Sequence, residues 1–321
     1  MRQLATKSDI LLENYRVGGL KKYGLDYQSL HALNPKLIYC SITGFGQTGP
    51  LRDRPGYDFL IQGMGGLMGI TGETDGEPGG GPQKAGVALA DVLTGLYAST
   101  AILAALTYRE QSGEGQHIDL ALLDVQTACL ANQAMNYLIS GKSPERLGNA
   151  HPNIVPYQAF ATADNHIVIA VGNDPQFVRF CQALGFADLA THPDYCSNRD
   201  RVENRQALIP ILASKLATKK SALWLELLET AQVPCGPINS LEQVFANDQI
   251  RHRNMRVDLP HQLANTVPEV ANPINFSATP IRYRHAGPTL GQHTESILSN
   301  LLGMDEIELD ALKQSRIINW S

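Results

Sequence analysis

Residues 86–106 read GVALADVLTGLYASTAILAAL, and this run constrains the fold more than any other part of the chain. Its one charged side chain is Asp91; the rest is Val, Leu, Ala and small polar residues, a pattern that predicts a helix with almost no wet face. Such a helix needs a broad apolar partner. The flanks supply one. LIYCSITGF at 37–45 precedes it and HIDLALL at 117–123 follows the turn SGEGQ, and both runs are β-rich. Strand, helix, strand is the βαβ unit of a parallel sheet. DILLENY at 9–15 adds a further strand, with the helical YQSLHALN at 27–34 between it and the next.

A second unit begins after SGKSPERLGNAHPN at 140–153. HIVIAVG at 166–172 predicts a strand; NDPQFVRFCQALG predicts a helix with an Asn/Asp cap, Pro175 in its first turn and Gly185 past its end. Two more helices are expected near 199–216 and 220–231. A short β-like run after Pro273 and the helix TESILSNLLG complete the tail. The expected fold class is α/β: a parallel-sheet, nucleotide-binding-like large domain at 1–125 and 270–321, and a smaller α+β domain at 150–240. Residues 126–149 and 241–269 are expected as linkers.

With 321 residues the chain can bury a sizeable core, and 43% hydrophobic against 18% charged residues marks it as globular. The formal net charge is −5 with no long basic run, which argues against nucleic acid and an anionic membrane surface as partners. Five scattered cysteines without a CxxC pair suggest neither a disulfide framework nor a zinc site, so a reduced, cytoplasmic setting and no metal are expected. The N-terminus lacks a signal-peptide pattern, and the longest apolar run, at 96–106, is too short to span a bilayer.

GxGxxG, GxxxxGK[ST], HExxH and GxSxG are all missing. GMGGLMG at 63–69 has the wrong spacing for a phosphate loop and reads as close packing of backbone. Asp91 is the exception. At a helix start, orphan N–H groups and the dipole favour an ionised carboxylate, which suits a nucleophile forming an acyl intermediate. An ordinary N-cap is the equal alternative on these residues alone.

Several blocks, in order, resemble the class III CoA-transferases, the CaiB/BaiF family: DILLENYRVGGLKKYGLDYQSLHALNPKLIYCSITGFGQTGP, RPGYDFLIQGMGGLMGITG, GVALADVLTGLYA, GEGQHIDLALLD, VPCGPINS and LGQHT. IYCSITGFGQTGP and GNAHPNIVPYQAF look closest to members acting on a dicarboxylic acid. The resemblance implies transfer of CoA from an acyl-CoA, with succinyl-CoA a candidate donor, to a carboxylic acid. It places the covalent aspartyl nucleophile on Asp91, with coenzyme A as substrate and no permanently bound cofactor. It implies CoA contacts at Lys22, Tyr23, Arg54, Tyr57 and Asp58, an acceptor pocket touched by His151, and an interlocked homodimer.

The family also holds acyl-CoA racemases, in which GHD supplies a histidine base. Here the triplet is GYD, Gly56-Tyr57-Asp58, and a tyrosine with a pKa near 10 is a poor base at neutral pH, so acyl transfer is favoured. A racemase or epimerase is therefore the alternative activity. The resemblance also implies roughly eighty residues before SDILLENY, so either the gene model begins at an internal methionine or the chain is a true short form, an inactive CoA-binding paralogue. The run PGGGP precedes Asp91 and does not match the lid glycines of the family.

Overall fold

The computed structural model describes residues 1–319. Contacts divide the chain into two units, one spanning essentially residues 4–238 and one spanning 239–321. The first unit holds two sheets. In one, β1 (Ile10–Glu13), β2 (Ile38–Thr43) and β3 (His117–Ala121) are all parallel, with β2 in the middle. The register pairs Ile10 with Ile38 and Tyr39 with His117. The helix Leu89–Ser112 crosses from β2 to β3 and packs on both strands, the βαβ unit expected from the apolar run.

That helix departs from expectation in three respects. It begins at Leu89, two residues before Asp91, and its N-cap is Ala88, so the N-cap reading of Asp91 does not hold. It is 24 residues long, roughly 36 Å, and its polar Ser and Thr side chains bond back to carbonyls four residues earlier within it. By length and composition it is the one helix among the described residues that could cross a bilayer. Its wet face is also wide. Ala90, Thr94, Ala98 and Ala105 are buried, whereas Val92, Leu96, Tyr97, Leu103 and Tyr108 are exposed. Small residues face the sheet because the helix lies close to it, and the large apolar ones point away.

The second sheet of this unit is antiparallel: β4 (Tyr157–Ala161), β5 (His166–Ala170) and β6 (Cys235–Pro237), with β5 central. Helices Asp174–Leu184, Arg205–Leu216 and Ser221–Thr230 surround a core that includes Phe160, Ile167, Phe177, Phe180, Leu212 and Trp224. The first of these helices is capped by the Asn173 side chain, which accepts from the Gln176 N–H, and ends at Gly185 with φ 75°, as its sequence predicts.

The unit at 239–321 contains the hairpin β7 (Arg256–His261) and β8 (Asn265–Val270), preceded by short helices at Leu241–Ala246 and Asp248–His252. Residues 241–269, expected as a connector, thus carry regular structure. No strand forms between 273 and 293, contrary to the β-like reading of the tail. Pro273, Pro280 and Pro288 each remove a ladder donor there. The expected helix is present at Thr294–Leu302.

Candidate active site

The three parallel strands all end at one cavity of about 590 Å³. Asn14 to Val17 follow β1, Thr43 and Gly44 finish β2, and Leu122 follows β3; Asp91, Thr94 and Gly95 enter from the first turns of the crossover helix. Ligands of open parallel sheets bind at this carboxyl edge, where helix N-termini also converge. Asp91, Thr94 and Gly95 share a helical face by their spacing of three and four.

Two glycines make the floor possible. A Cβ on Gly44 would come within 2.5 Å of the Gly56 Cα, and one on Gly56 within 2.4 Å of the Gly44 Cα. ITGF and RPGYD therefore cross backbone to backbone, which brings Arg54 and Tyr57 to the cavity.

Three guanidinium groups line it: Arg16, Arg52 and Arg54. Arg54 also lies 6.0 Å from the centre of the Phe45 ring, and Arg52 pairs with exposed Asp53 at 3.5 Å. Arg16 and Arg52 were not picked out in the sequence. The signal for Arg16 was present: it stands three residues past the end of a parallel strand, where ligand-contacting loops are built.

The start of the Asp91 helix is held from outside. Ala88 at the N-cap has no side-chain acceptor. Instead the Ala90 N–H donates to Asp58 Oδ1 at 2.8 Å, so a carboxylate from the Asp58–Met64 helix caps the terminus through space. Asp58 Oδ2 accepts from Gln62 Nε2 at 2.7 Å. Asp91 is largely exposed, and its carboxyl pKa is raised from its ordinary value, first by partial burial and then by the like charge of Asp58. The helix-terminus argument predicted the opposite direction; it omitted first the burial of the carboxyl and then the second carboxylate, Asp58, already bonded to the Ala90 N–H.

The remaining expected residues lie elsewhere. Lys22 and Tyr23 sit in a short 3₁₀ turn, Lys21–Tyr23, both exposed, with Lys22 Nζ 4.8 Å from the Tyr23 ring centre. Neither lines the cavity. Asp58 is turned to Ala90 and Gln62 and is likewise not in the lining. His151 is half-buried against Tyr157, its Nδ1 accepting from the Asn153 N–H; burial and then Arg205 lower its pKa. It too is outside the lining. Within the GMGGLMG run Gly65 packs where a Cβ would meet Gln126 Cγ at 2.6 Å, the close packing read from the sequence, whereas Gly69 has open space around it. No group of three or more His, Cys, Asp or Glu among the described residues could hold a metal ion.

A family model described as CoA-transferase family III matches residues 1–294. The chain belongs to CoA-transferase family III. It is an enzyme of the CoA-transferase class. It is 52% identical over 301 residues to a succinate–glutarate CoA-transferase of Agrobacterium fabrum, covering 94% of this chain and 74% of that protein. With the human succinyl-CoA:glutarate CoA-transferase it shares 39% identity over 319 residues, 99% of this chain and 72% of that one. The crystal structure of a CaiB/BaiF family protein from Brucella suis superposes with a TM-score of 0.79 at 49% identity, covering 94% of this chain and 77% of that chain. The fold is thus the class III CoA-transferase fold, with CoA thioesters as substrates of the class.

Proposed function

We propose that this CoA-transferase moves CoA from succinyl-CoA or a similar acyl-CoA to a dicarboxylic acid through covalent intermediates on Asp91. One observation carries the reading: Asp91 is the carboxylate that opens into a cavity lined by three arginines at the carboxyl edge of the parallel sheet. The names of the Agrobacterium and human relatives support the substrate class.

In the first step an Asp91 carboxylate oxygen attacks the thioester carbonyl, the C–S bond breaks, and CoA leaves as thiolate from a mixed anhydride. The thiolate then attacks the Asp91 carbonyl carbon and expels the donor carboxylate, leaving an aspartyl-CoA thioester. An acceptor carboxylate attacks that thioester and re-forms an anhydride and thiolate. Attack of the thiolate on the acceptor's carbonyl releases the new acyl-CoA and restores the carboxylate. Partial burial and the like charge of Asp58 make Asp91 a more basic carboxylate than an ordinary one. The arginines offer fixed positive charge to CoA phosphates and to the distal carboxylate of a dicarboxylic acid.

The apolar residues Val92, Leu96 and Leu103 on the Asp91 helix support a homodimer in which a second copy of the chain covers them. The five free thiols support a reduced, cytoplasmic setting.

The test is direct. Purified protein with succinyl-CoA and glutarate is expected to form glutaryl-CoA and succinate in equal amounts, followed by liquid chromatography. No exchange with glutarate or any of a panel of four- to six-carbon dicarboxylates would sink the proposal. Deuterium appearing at the acyl α-carbon in heavy water without any acceptor would favour the racemase alternative.

A further inference from the structure

Gln62 is fully buried, an uncommon position for a neutral polar side chain unless its hydrogen bonds are met. They are met in a specific way. Its Nε2 donates to Asp58 Oδ2 at 2.7 Å and to the Val87 carbonyl at 3.3 Å, and its Oε1 accepts from the Ala85 N–H at 2.9 Å. The opposite orientation of the amide would set oxygen against a carboxylate and a carbonyl, and nitrogen against an N–H, so the surroundings fix it. The three partners are the group that caps the Asp91 helix and two backbone groups of the strand-free segment that leads into it. Asp58 and Gln62 stand four apart on one helix, side by side on the same face. That helix is anchored by fully buried Ile61, which clusters with Ala90 and Leu122.

We propose that Gln62 is a positioning residue for the reaction: its carboxamide locks the Asp58 carboxylate onto the Ala90 N–H and the 85–87 segment onto the same helix, so that the first turn carrying Asp91 has one place and one direction. The inference rests on Asp91 as nucleophile and adds to it the residue that aims it. Ala88 cannot cap the terminus, so without the Gln62 clamp the first turn would depend on a carboxylate free to rotate away. Gln62 is not part of the cavity lining. Its loss is expected to act on the acylation step and not on the binding of acyl-CoA.

The experiment measures acylation of Asp91 under single-turnover conditions by intact-mass spectrometry after rapid quenching, for the full chain and three variants. Gln62→Met keeps the volume and removes every bond; acylation is expected to slow by about 30-fold, with the concentration of succinyl-CoA giving half-maximal rate changed less than about threefold. Gln62→Glu sets two carboxylates together and is expected to slow it at least as much. The double variant Asp58→Asn with Gln62→Glu exchanges donor and acceptor. The new amide at position 58 keeps its acceptor for Ala90 and donates to the new carboxylate at 62, which still accepts from Ala85. It is expected to recover to within about fivefold of the unaltered chain, a non-additivity that general loss of stability would not give.

It also covers the case in which Gln62→Met does not fold, since it keeps the bonds to position 58 and to Ala85, while the bond to the Val87 carbonyl is replaced by an oxygen–oxygen contact. A double variant no faster than Gln62→Glu alone, or Gln62→Met acylating at the unaltered rate, overturns the inference while leaving Asp91 as nucleophile. An unaltered chain that turns over succinyl-CoA but is never acylated at Asp91 overturns the nucleophile assignment, and this inference with it.

Discussion

The two sheets of the first unit are built to different standards of closure. Around the antiparallel β4–β6, aromatic and aliphatic side chains form one continuous core, and Arg201 is itself fully buried with its charge met by Asp174 at 2.8 Å, the carbonyls of Val155 and Tyr195, and the Phe177 ring 4.3 Å away. Around the parallel β1–β3, the buried clusters are small: Ile61, Ala90 and Leu122 on one side, Ala5, Leu30, Leu37 and Tyr39 on another. Leu12 on β1 and a row of large apolar residues on the Asp91 helix remain open to solvent. The closed sheet is a scaffold that holds itself together. The open one carries the candidate chemistry, at the end of a helix whose start is held by two side chains and one small cluster. Binding and reactive elements are commonly drawn from the less stable parts of a protein, and this chain separates the two roles between neighbouring sheets.

The sharpest way to break that comparison is to remove one carboxylate from the open sheet. Asp91→Asn is expected to lower the exchange rate by about 10⁴-fold, equivalent to about 5 kcal/mol, while the thermal midpoint stays within about 2 °C. A comparable loss of stability would mean that Asp91 is a structural cap after all.

Cutting into the closed core should do the reverse. Trp224 is fully buried and donates from Nε1 to the Leu216 carbonyl at 2.7 Å. Trp224→Ala is expected to destabilise by about 3–5 kcal/mol in urea titrations, with exchange activity per folded molecule preserved. Specific activity falling ahead of unfolding would show that the two sheets are less separate than argued.

A smaller effect concerns pH. Asp91 must be ionised to attack, and its pKa is raised by burial first and by Asp58 second. Activity should therefore fall, on acidification, at a higher pH than for an ordinary carboxylate. The other charged or titratable groups lining the cavity, Tyr15, Arg16, Arg52, Arg54 and Tyr57, are unchanged by Asp58→Asn. That variant removes the like charge, so the acid limb of kcat/KM should move to lower pH, by less than the whole shift because burial remains. A limb that does not move would mean that another group controls it.

The smallest effect should come from His117, on the inner face of the open sheet. Its ring stacks on Tyr27 at 4.9 Å and meets Ser41 Oγ at 3.0 Å, and burial lowers its pKa against the raising influence of Asp119 and Glu13. A histidine with a depressed folded pKa contributes stability above its unfolded value, near 6.5, and loses it as pH falls through the folded one. The stability difference between pH 7.5 and 5.5 should accordingly shrink in His117→Asn. An unchanged difference would remove His117 from the account.

Much of this architecture was legible in the chain. Strand, apolar helix and strand announced the βαβ unit because periodicity changes from two to 3.6 across 37–123, and a lone charge in a long apolar run drew attention to Asp91. What could not be read was anything decided through space. Asp58 was expected as a CoA contact, yet it caps a helix that begins thirty-one residues later. Gln62 was not singled out in the sequence, and its three partners are Asp58, Ala85 and Val87. The exposed side of the Asp91 helix was hidden for a related reason: composition shows that a helix is apolar all round, not which side its own sheet covers. Of the residues placed by resemblance, Asp91, Arg54 and Tyr57 line the cavity and Lys22, Tyr23, Asp58 and His151 do not; Tyr15, Arg16 and Arg52 line it as well.

The central claim is that Asp91 becomes covalently acylated. Incubation with succinyl-CoA without acceptor, quenching with hydroxylamine, and peptide mapping by mass spectrometry test it most directly. The account predicts a hydroxamate on the peptide containing Asp91, lost in Asp91→Asn; an active enzyme whose Asp91 peptide stays unmodified, or that carries the label on another residue, would contradict it.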